Sequence, residues 1–390
     1  MEAGDRAAIG FDASVLEASR WSGVERAAAR LARALAEAGE TVVLFSRRGI
    51  RWPLAPHDRL RFRTVPGPGP LPVWRETALP AALAREGARL LLSPVAAVPL
   101  MTRLPRVAVI HELPWLRRPS AEEGRTAAVH RLRILAAALV CRRLLVPSRA
   151  TARDLAVLAP GAARRIAVLP WGVDATFTPG PPSGRIPLPP GPKILWVGTV
   201  RRRKALPVLL AAWRGLPAPR PALLLAGVAG GDLPPEDGIR PLGFQDDGGL
   251  LELYRSADVL ACPSVSEGFG FPPLEAMACG CPVVAAEAGS VPEVCGEAAL
   301  FVPPRDPAAL AAALSRVLGD EPLRRAMAAR GIGRAAAFTW AAAGTLARRL
   351  LAKSVSNDPP RAAPGRGASS ARSEEDSTLR SRSKTTSDDA

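Results

Sequence analysis

Apolar runs of three to five residues recur along the first 350 positions. Between them lie longer stretches in which apolar residues return every three or four positions. Short runs suit strands buried on both faces, and the longer spacing suits helices with one buried face. The first half then gives strands at 7–11, 41–45, 89–92, 106–110, 143–146 and 166–169, with an amphipathic helix over 24–39. The second half restarts the pattern. It gives strands at 193–197, 222–226, 259–261 and 281–285, and helices at 206–213, 249–256, 308–318 and 323–337. A last helix follows Phe338-Thr339-Trp340 and runs to about 352. Strands alternating with helices predict an α/β architecture with parallel sheets.

The two series meet at 179–192, where seven prolines and several glycines read as a linker. This predicts a Rossmann-like domain over 1–178, a second over 193–337, and a helix over 338–353 returning to the first. Residues 354–390 are rich in Ser, Thr, Arg, Asp and Pro, with Val355 and Leu379 as the sizeable apolar residues. Such a segment buries too little surface to offset its ordering entropy and is expected to be disordered.

Charge changes the picture next. The chain carries 52 basic and 36 acidic residues, net +16. Most of the basic residues are Arg, a bias that genome base composition can also produce. A basic surface draws anionic lipid, nucleic acid or nucleotide ligands. Nucleic acid is not expected as a partner, because basic and aromatic residues are not interleaved and the chain has one Tyr and nine Phe. Nine arginines crowd one stretch of the first half: Arg117, Arg118, Arg125, Arg131, Arg133, Arg142, Arg143, Arg149 and Arg153. They predict peripheral contact with an anionic membrane. The five cysteines show no metal-ligand spacing, and Cys279-Gly280-Cys281 is too tight for a zinc knuckle. They read as small buried apolar residues. The N-terminal residues include Glu2 and Asp5 with no apolar leader, and no run free of charged residues exceeds 13 positions. A cytoplasmic protein, soluble or peripheral and in a reducing compartment, is expected.

Candidate chemistry concentrates at 264–277. Glu267 and Glu275 stand eight positions apart around Gly268-Phe269-Gly270-Phe271-Pro272-Pro273. Gly268 and Gly270 permit close backbone approach, and a Pro pair fits a helix's first turn. The amides of such a turn favour an anion, while the flanking carboxylates suit hydroxyl groups. A sugar, a ribose and a diphosphate between them would satisfy all three features. Beyond the strand at 193–197 come Gly198-Thr199 and then Arg203-Lys204, a cation pair able to clamp a diphosphate. After the strand at 106–110 comes His111, read either as a donor or general acid–base group, or as a structural residue.

Together these segments resemble the glycosyltransferase family 4 type. Residues 267–284 are similar to its Glu-x7-Glu signature, and Ser22-Gly23-Val24-Glu25-Arg26 to its N-terminal glycine loop. His111-Glu112 is similar to the family's His-Asp pair, with Glu in the second place. Pro147-Ser148-Arg149 resembles the end of a later strand of the first domain. Leu169-Pro170-Trp171-Gly172-Val173-Asp174 resembles its Pro-Asn-Gly-Val-Asp segment, with Trp171 in place of Asn. Pro241-Leu242-Gly243-Phe244 resembles the stretch bordering the nucleotide base. Ser290-Val291-Pro292-Glu293-Val294 resembles a later family motif.

The resemblance implies a GT-B fold, with two Rossmann-like parallel-sheet domains facing across a cleft. It implies a retaining hexosyltransferase acting on a nucleotide-diphosphate sugar, with GDP-mannose favoured and UDP-sugars open. The acceptor would be a saccharide or lipid-linked saccharide, in cell-surface polysaccharide synthesis. Glu267 would bind donor-sugar hydroxyls, and amides near Phe269, Gly270 and Phe271 would contact sugar or phosphate. Glu275 would hold the ribose, and Arg203 and Lys204 would neutralise the leaving diphosphate. His111 would meet the sugar's outer hydroxyl or steady the transition state. Gly23, Gly198, Gly268 and Phe244 would complete the donor side. Two fixed cations would remove the need for a metal, and no other cofactor is expected. A different GT-B enzyme, such as a sugar-nucleotide epimerase, and a basic module binding anionic surfaces or nucleic acid are the competing readings. Asp246-Asp247, followed by glycines, reads as a loop.

Overall fold

The computed structural model describes residues 7–355, apart from 20, 51, 53, 114–124, 230 and 232–235. The first series of elements is β1 (Ile9–Asp12), α1 (Gly23–Glu37), β2 (Val42–Ser46), β3 (Leu60–Thr64), α2 (Leu71–Glu76), α3 (Ala78–Arg85) and β4 (Leu90–Ser93). It continues with β5 (Arg106–Val109), α4 (Arg125–Val140), β6 (Arg143–Val146), α5 (Arg149–Leu158) and β7 (Ile166–Val168). The second series is β8 (Lys193–Val197), α6 (Leu206–Arg214), β9 (Ala222–Ala226), β10 (Ile239–Gly243), α7 (Asp247–Ser256), β11 (Val259–Cys262) and α8 (Phe271–Ala278). It closes with β12 (Val283–Ala286), α9 (Val291–Cys295), β13 (Ala299–Val302), α10 (Pro307–Gly319), α11 (Glu321–Ala335) and α12 (Trp340–Val355).

The strands form two parallel sheets. One has seven strands in the order β3-β2-β1-β4-β5-β6-β7, and the other six in the order β10-β9-β8-β11-β12-β13. In each sheet the strand order reverses direction once, between β1 and β4 and between β8 and β11. Open α/β sheets bind ligands at the carboxyl ends beside that reversal. Central strands such as Val42–Ser46 and Val283–Ala286 are buried along their whole length. One apolar cluster runs through both lobes, from Phe11 and Leu92 through Trp171 and Phe177 to Phe269 and Leu274.

The chain crosses between the lobes at two adjacent places. Val173 bridges to Thr339, and its amide donates to the Phe338 carbonyl at 3.0 Å. Trp171, which stands where the resembled motif has Asn, is buried and stacks on Trp340 with ring centroids 5.8 Å apart. Helix α12 then lies along α1, where Gly344 sits over the Ala34 carbonyl. Arg348, midway along α12, donates to the Ala38 carbonyl at 3.1 Å.

Three strands absent from the sequence-based expectation are β3, β10 and β13, and each is a sheet edge. The short helices α2 and α3 and the longer α4 and α5 were not anticipated either. Asp246 and Asp247 correct a loop assignment: Asp246 caps α7, accepting from the Gly249 amide at 2.7 Å, and Asp247 is its first residue. The glycines that suggested a loop lie in the first turn of that helix. Ser354 and Val355 close α12, with Ser354 buried, so the expected disordered tail begins no earlier than 356. The rest of it, 356–390, lies outside the described residues, as do Arg117 and Arg118 of the arginine-rich stretch.

Candidate active site

The loop from Ser264 to Gly270 leaves β11 and turns into α8. Gly270 has φ +101° and stands as the residue before the helix, a conformation that strains any side chain. Pro272 and Pro273 occupy the first turn, where their missing amides cost no hydrogen bond. Gly268 lies against the opposite lobe: a Cβ there would come within 2.0 Å of the His111 carbonyl oxygen. The Gly268 carbonyl also accepts from Thr151 Oγ1 at 3.2 Å. The glycine pair therefore serves two ends, turning the chain and letting the lobes close.

Glu267 is buried, and its carboxylate meets two cations. Lys204 Nζ donates to Oε1 at 2.6 Å, and Arg203 Nη1 to Oε2 at 3.2 Å. Burial works against the charged carboxylate, but Lys204 and Arg203 outweigh it and hold its pKa below the ordinary range. Arg203 and Lys204 sit in a short 3-10 turn after β8, tied to the loop by the Val265 amide on the Arg203 carbonyl at 2.8 Å. Arg203 Nη2 reaches across to Glu112 Oε1 of the first lobe at 3.0 Å. Two cations and two carboxylates thus meet in one cluster that spans both lobes.

Glu275, one turn into α8, is 2% exposed. Tyr254 Oη donates to its Oε2 at 2.9 Å, and Arg26 Nη2 to its Oε1 at 2.9 Å. Arg26 belongs to α1, so this is a contact between lobes. It also approaches Asp247 at 3.2 Å and lies over the Phe177 ring. Burial, with Glu275 beside it, pushes the Tyr254 hydroxyl well up and keeps it a donor. Helix α1 starts where it does because Glu25 reaches back to the Ser22 amide at 2.8 Å. That start puts Gly23, Arg26 and Arg30 on one face, opposite Phe271 and Glu275. Arg30 pairs with Asp174 on the crossing segment.

His111 follows β5, half-buried, with Nε2 2.8 Å from the Pro94 carbonyl. A carbonyl only accepts, so Nε2 carries the proton. Burial lowers the His111 pKa, against the pull of that carbonyl and of Glu25, and favours the neutral ring. Neutral His111 presents Nδ1 as an acceptor. Its ring lies 5.9 Å from that of Trp171.

The structure brings Glu267, Arg203 and Lys204 into one cluster, with His111 joined through Gly268. Gly23, Phe271 and Glu275 share a neighbouring pocket. Gly198 follows β8, packed near Lys204. The Phe269 ring points into the core against Phe271 and Phe338. Phe244 is exposed at the end of the edge strand β10. Sequence reasoning gave no role to Arg26, Tyr254, Thr151 or Glu293, whose carboxylate accepts from the Arg149 amide at 2.8 Å across the cleft. Arg26 stands inside the quoted glycine-loop segment, three residues past Gly23 on one helix face, and that spacing was its only local signal. All five cysteines are buried, and burial pushes the thiols of Cys262 and Cys141 up to about 11 and 12.

Two parallel sheets with their ligand-facing strand ends turned toward one cleft define a GT-B architecture. Residues 21–177 match the model described as Glycosyltransferase Family 4, and residues 191–320 that described as Glycosyl transferases group 1. The chain belongs to the glycosyltransferase family 4 type. It is 38% identical over 159 residues to an O-antigen chain mannosyltransferase B of Escherichia coli, covering 37% of this chain and 42% of that one. It is 33% identical over 249 residues to a D-inositol 3-phosphate glycosyltransferase of Kineococcus radiotolerans, covering 55% of this chain and 57% of that one. The chain thus spans roughly half the length of these curated relatives. A sucrose-phosphate synthase structure from Thermosynechococcus elongatus shares the fold with TM-score 0.74 at 24% identity, over 89% of this chain and 100% of that one.

Proposed function

We propose that this protein is a retaining hexosyltransferase that needs no metal. It moves a hexose from a nucleotide-diphosphate sugar to a saccharide or lipid-linked acceptor in cell-surface polysaccharide synthesis. The observation that carries the reading is the buried Glu267 held by Lys204 and Arg203 beside the start of α8. In the transfer, the bond between the anomeric carbon and the diphosphate breaks and a bond to an acceptor hydroxyl oxygen forms. The departing oxygen gains negative charge, which Arg203 and Lys204 stand ready to neutralise. Glu267 fixes both cations and offers its carboxylate to sugar hydroxyls as they shift. Neutral His111 accepts from a sugar hydroxyl through Nδ1. Retention follows when the acceptor attacks from the leaving group's face, with a phosphate oxygen taking its proton. Similarity to a mannosyltransferase favours GDP-mannose as donor, with UDP-sugars next.

Thermal shift of the full chain against a panel of nucleotide sugars tests this, followed by nucleoside diphosphate release with candidate acceptors. One sugar nucleotide should stabilise the protein, and Glu275→Ala should weaken it. If no nucleotide sugar binds, the reading fails.

We further propose peripheral contact of a cytoplasmic enzyme with anionic lipid. Helix α4 exposes Val129, Leu132 and Leu139 at helical spacing beside Arg131 and Arg133. Each near-surface cation adds about 1 kcal/mol at most. Among the described residues no helix is long and apolar enough to cross a membrane. No co-sedimentation with anionic vesicles at low salt would end this proposal.

A further inference from the structure

Among the described residues two non-glycine residues have a positive φ, Arg305 and Ala205. Arg305 stands in an exposed turn. Ala205 is buried, at φ +50° and ψ +37°, between the 3-10 turn Arg202–Lys204 and the start of α6. There its Cβ crowds the following carbonyl oxygen, a strain that glycine would not feel. Strain of this kind persists where the surroundings fix it, and it gathers at functional sites.

The surroundings of Ala205 do fix it. Pro207, the second residue of α6, has no N–H, so the Arg203 carbonyl four positions back has no helical donor. It accepts instead from the Val265 amide at 2.8 Å, which ties the turn to the loop carrying Glu267. One residue is left in which to redirect the chain. The Ala205 amide donates back to the Arg202 carbonyl at 3.2 Å, and its carbonyl accepts forward from the Val208 amide at 3.0 Å. The Lys204 stem runs closely past Gly198, where a Cβ would lie 3.4 Å from the lysine Cδ. In a 3-10 turn successive side chains point about 120° apart. Arg203 and Lys204 nevertheless meet the same carboxylate, which a narrow range of turn orientations allows.

We propose that Ala205 is a positioning residue for transfer: its strained left-handed backbone stiffens the Arg203-Lys204 turn and aims both cations at the leaving diphosphate. Alanine is confined to a small left-handed region, whereas glycine also reaches the regions around it and would let the turn change shape. Cations already held where charge develops need no reorganisation during the reaction. Ala205 itself touches no substrate in this role and acts through its neighbours. The role rests on the reading of Arg203 and Lys204 given above, whereas the stiffness of the turn does not.

Ala205→Gly in the full chain separates strain from function. Glycine takes the same φ freely, so the midpoint of urea unfolding should not fall. With GDP-mannose and UDP-glucose as donors, kcat should drop about tenfold. The donor Kd, read by calorimetry, should change less than about twofold, since the cations matter most as charge grows. Added to Lys204→Ala, the same substitution should slow transfer about threefold at most, because its effect runs mainly through the lysine. Hydrogen exchange at the Val265 amide, whose acceptor is the Arg203 carbonyl, should quicken about tenfold. A lower urea midpoint would show that no strain was relieved. An undiminished kcat, or a loss of the same size in the Lys204→Ala background, would show that Ala205 does not aim the cations. Each of these overturns the proposal. If the wild-type chain transfers no sugar, the transferase reading fails, and exchange at Val265 still decides: an unchanged rate overturns the stiff turn, and a quickened one upholds it.

Discussion

Individual side chains at the ionic cluster carry opposing duties, and their replacements should separate them. Lys204→Ala should slow transfer about a hundredfold while weakening donor binding much less, because the charge it meets grows in the transition state. Unchanged turnover would refute its role. Glu112→Gln removes the carboxylate that holds Arg203 at 3.0 Å. Nucleoside diphosphate should then bind two- to fivefold more tightly, roughly the worth of one partly exposed pair, as calorimetry would read. Glu267 gives a pH test. Its pKa is lowered in the fold, so its stabilisation is present above the unfolded value of about 4.3 and fades as pH falls through the folded one. Urea unfolding of wild type and Glu267→Gln should differ at pH 7 and converge in acid. A difference constant down to pH 3 would contradict the assignment. The spacing of Glu267 and Glu275 and the adjacency of Arg203 and Lys204 were legible in the sequence. Their partners were not: Arg26 lies 249 positions from Glu275, and only folding makes them neighbours.

At the scale of elements, legibility followed burial. Strands such as Lys193–Val197 and Arg143–Val146 lie inside a sheet and show as apolar runs. Edge strands need only one partner and one covered face. In β3 only Leu60 is buried, with Arg61 and Arg63 exposed, and β10 contains Pro241, which an edge tolerates. Such segments look like loops to a periodicity argument. Helix α4 was missed for another reason, since apolar residues appear all round it and no single stripe stands out. The contact of α1 with α12 offers a test at this scale. A Cβ on Gly344 would lie 2.3 Å from the Ala34 carbonyl oxygen, which is backbone and cannot swing aside. Gly344→Val should cost about 1–3 kcal/mol in chemical unfolding. A neutral result would mean that the helices do not pack this closely.

At the scale of the molecule, two sheets each place a polar cluster beside the point where their strand order reverses. The repeated α/β series was legible in the sequence, because it is a local pattern. Closure across the cleft was hidden, since it is made of pairs such as Glu112 with Arg203, Glu293 with the Arg149 amide and Arg26 with Glu275. The last of these sets two occupants on one carboxylate. If Glu275 holds the donor's ribose, the nucleotide and Arg26 are rivals for it. Arg26→Ala should then tighten nucleotide affinity in calorimetry while lowering the melting temperature of the unliganded protein. An arginine that simply aided the donor would weaken affinity when removed. The same ion pair that holds the empty enzyme together would thus act as its first competitive inhibitor, built into the chain and present at fixed effective concentration.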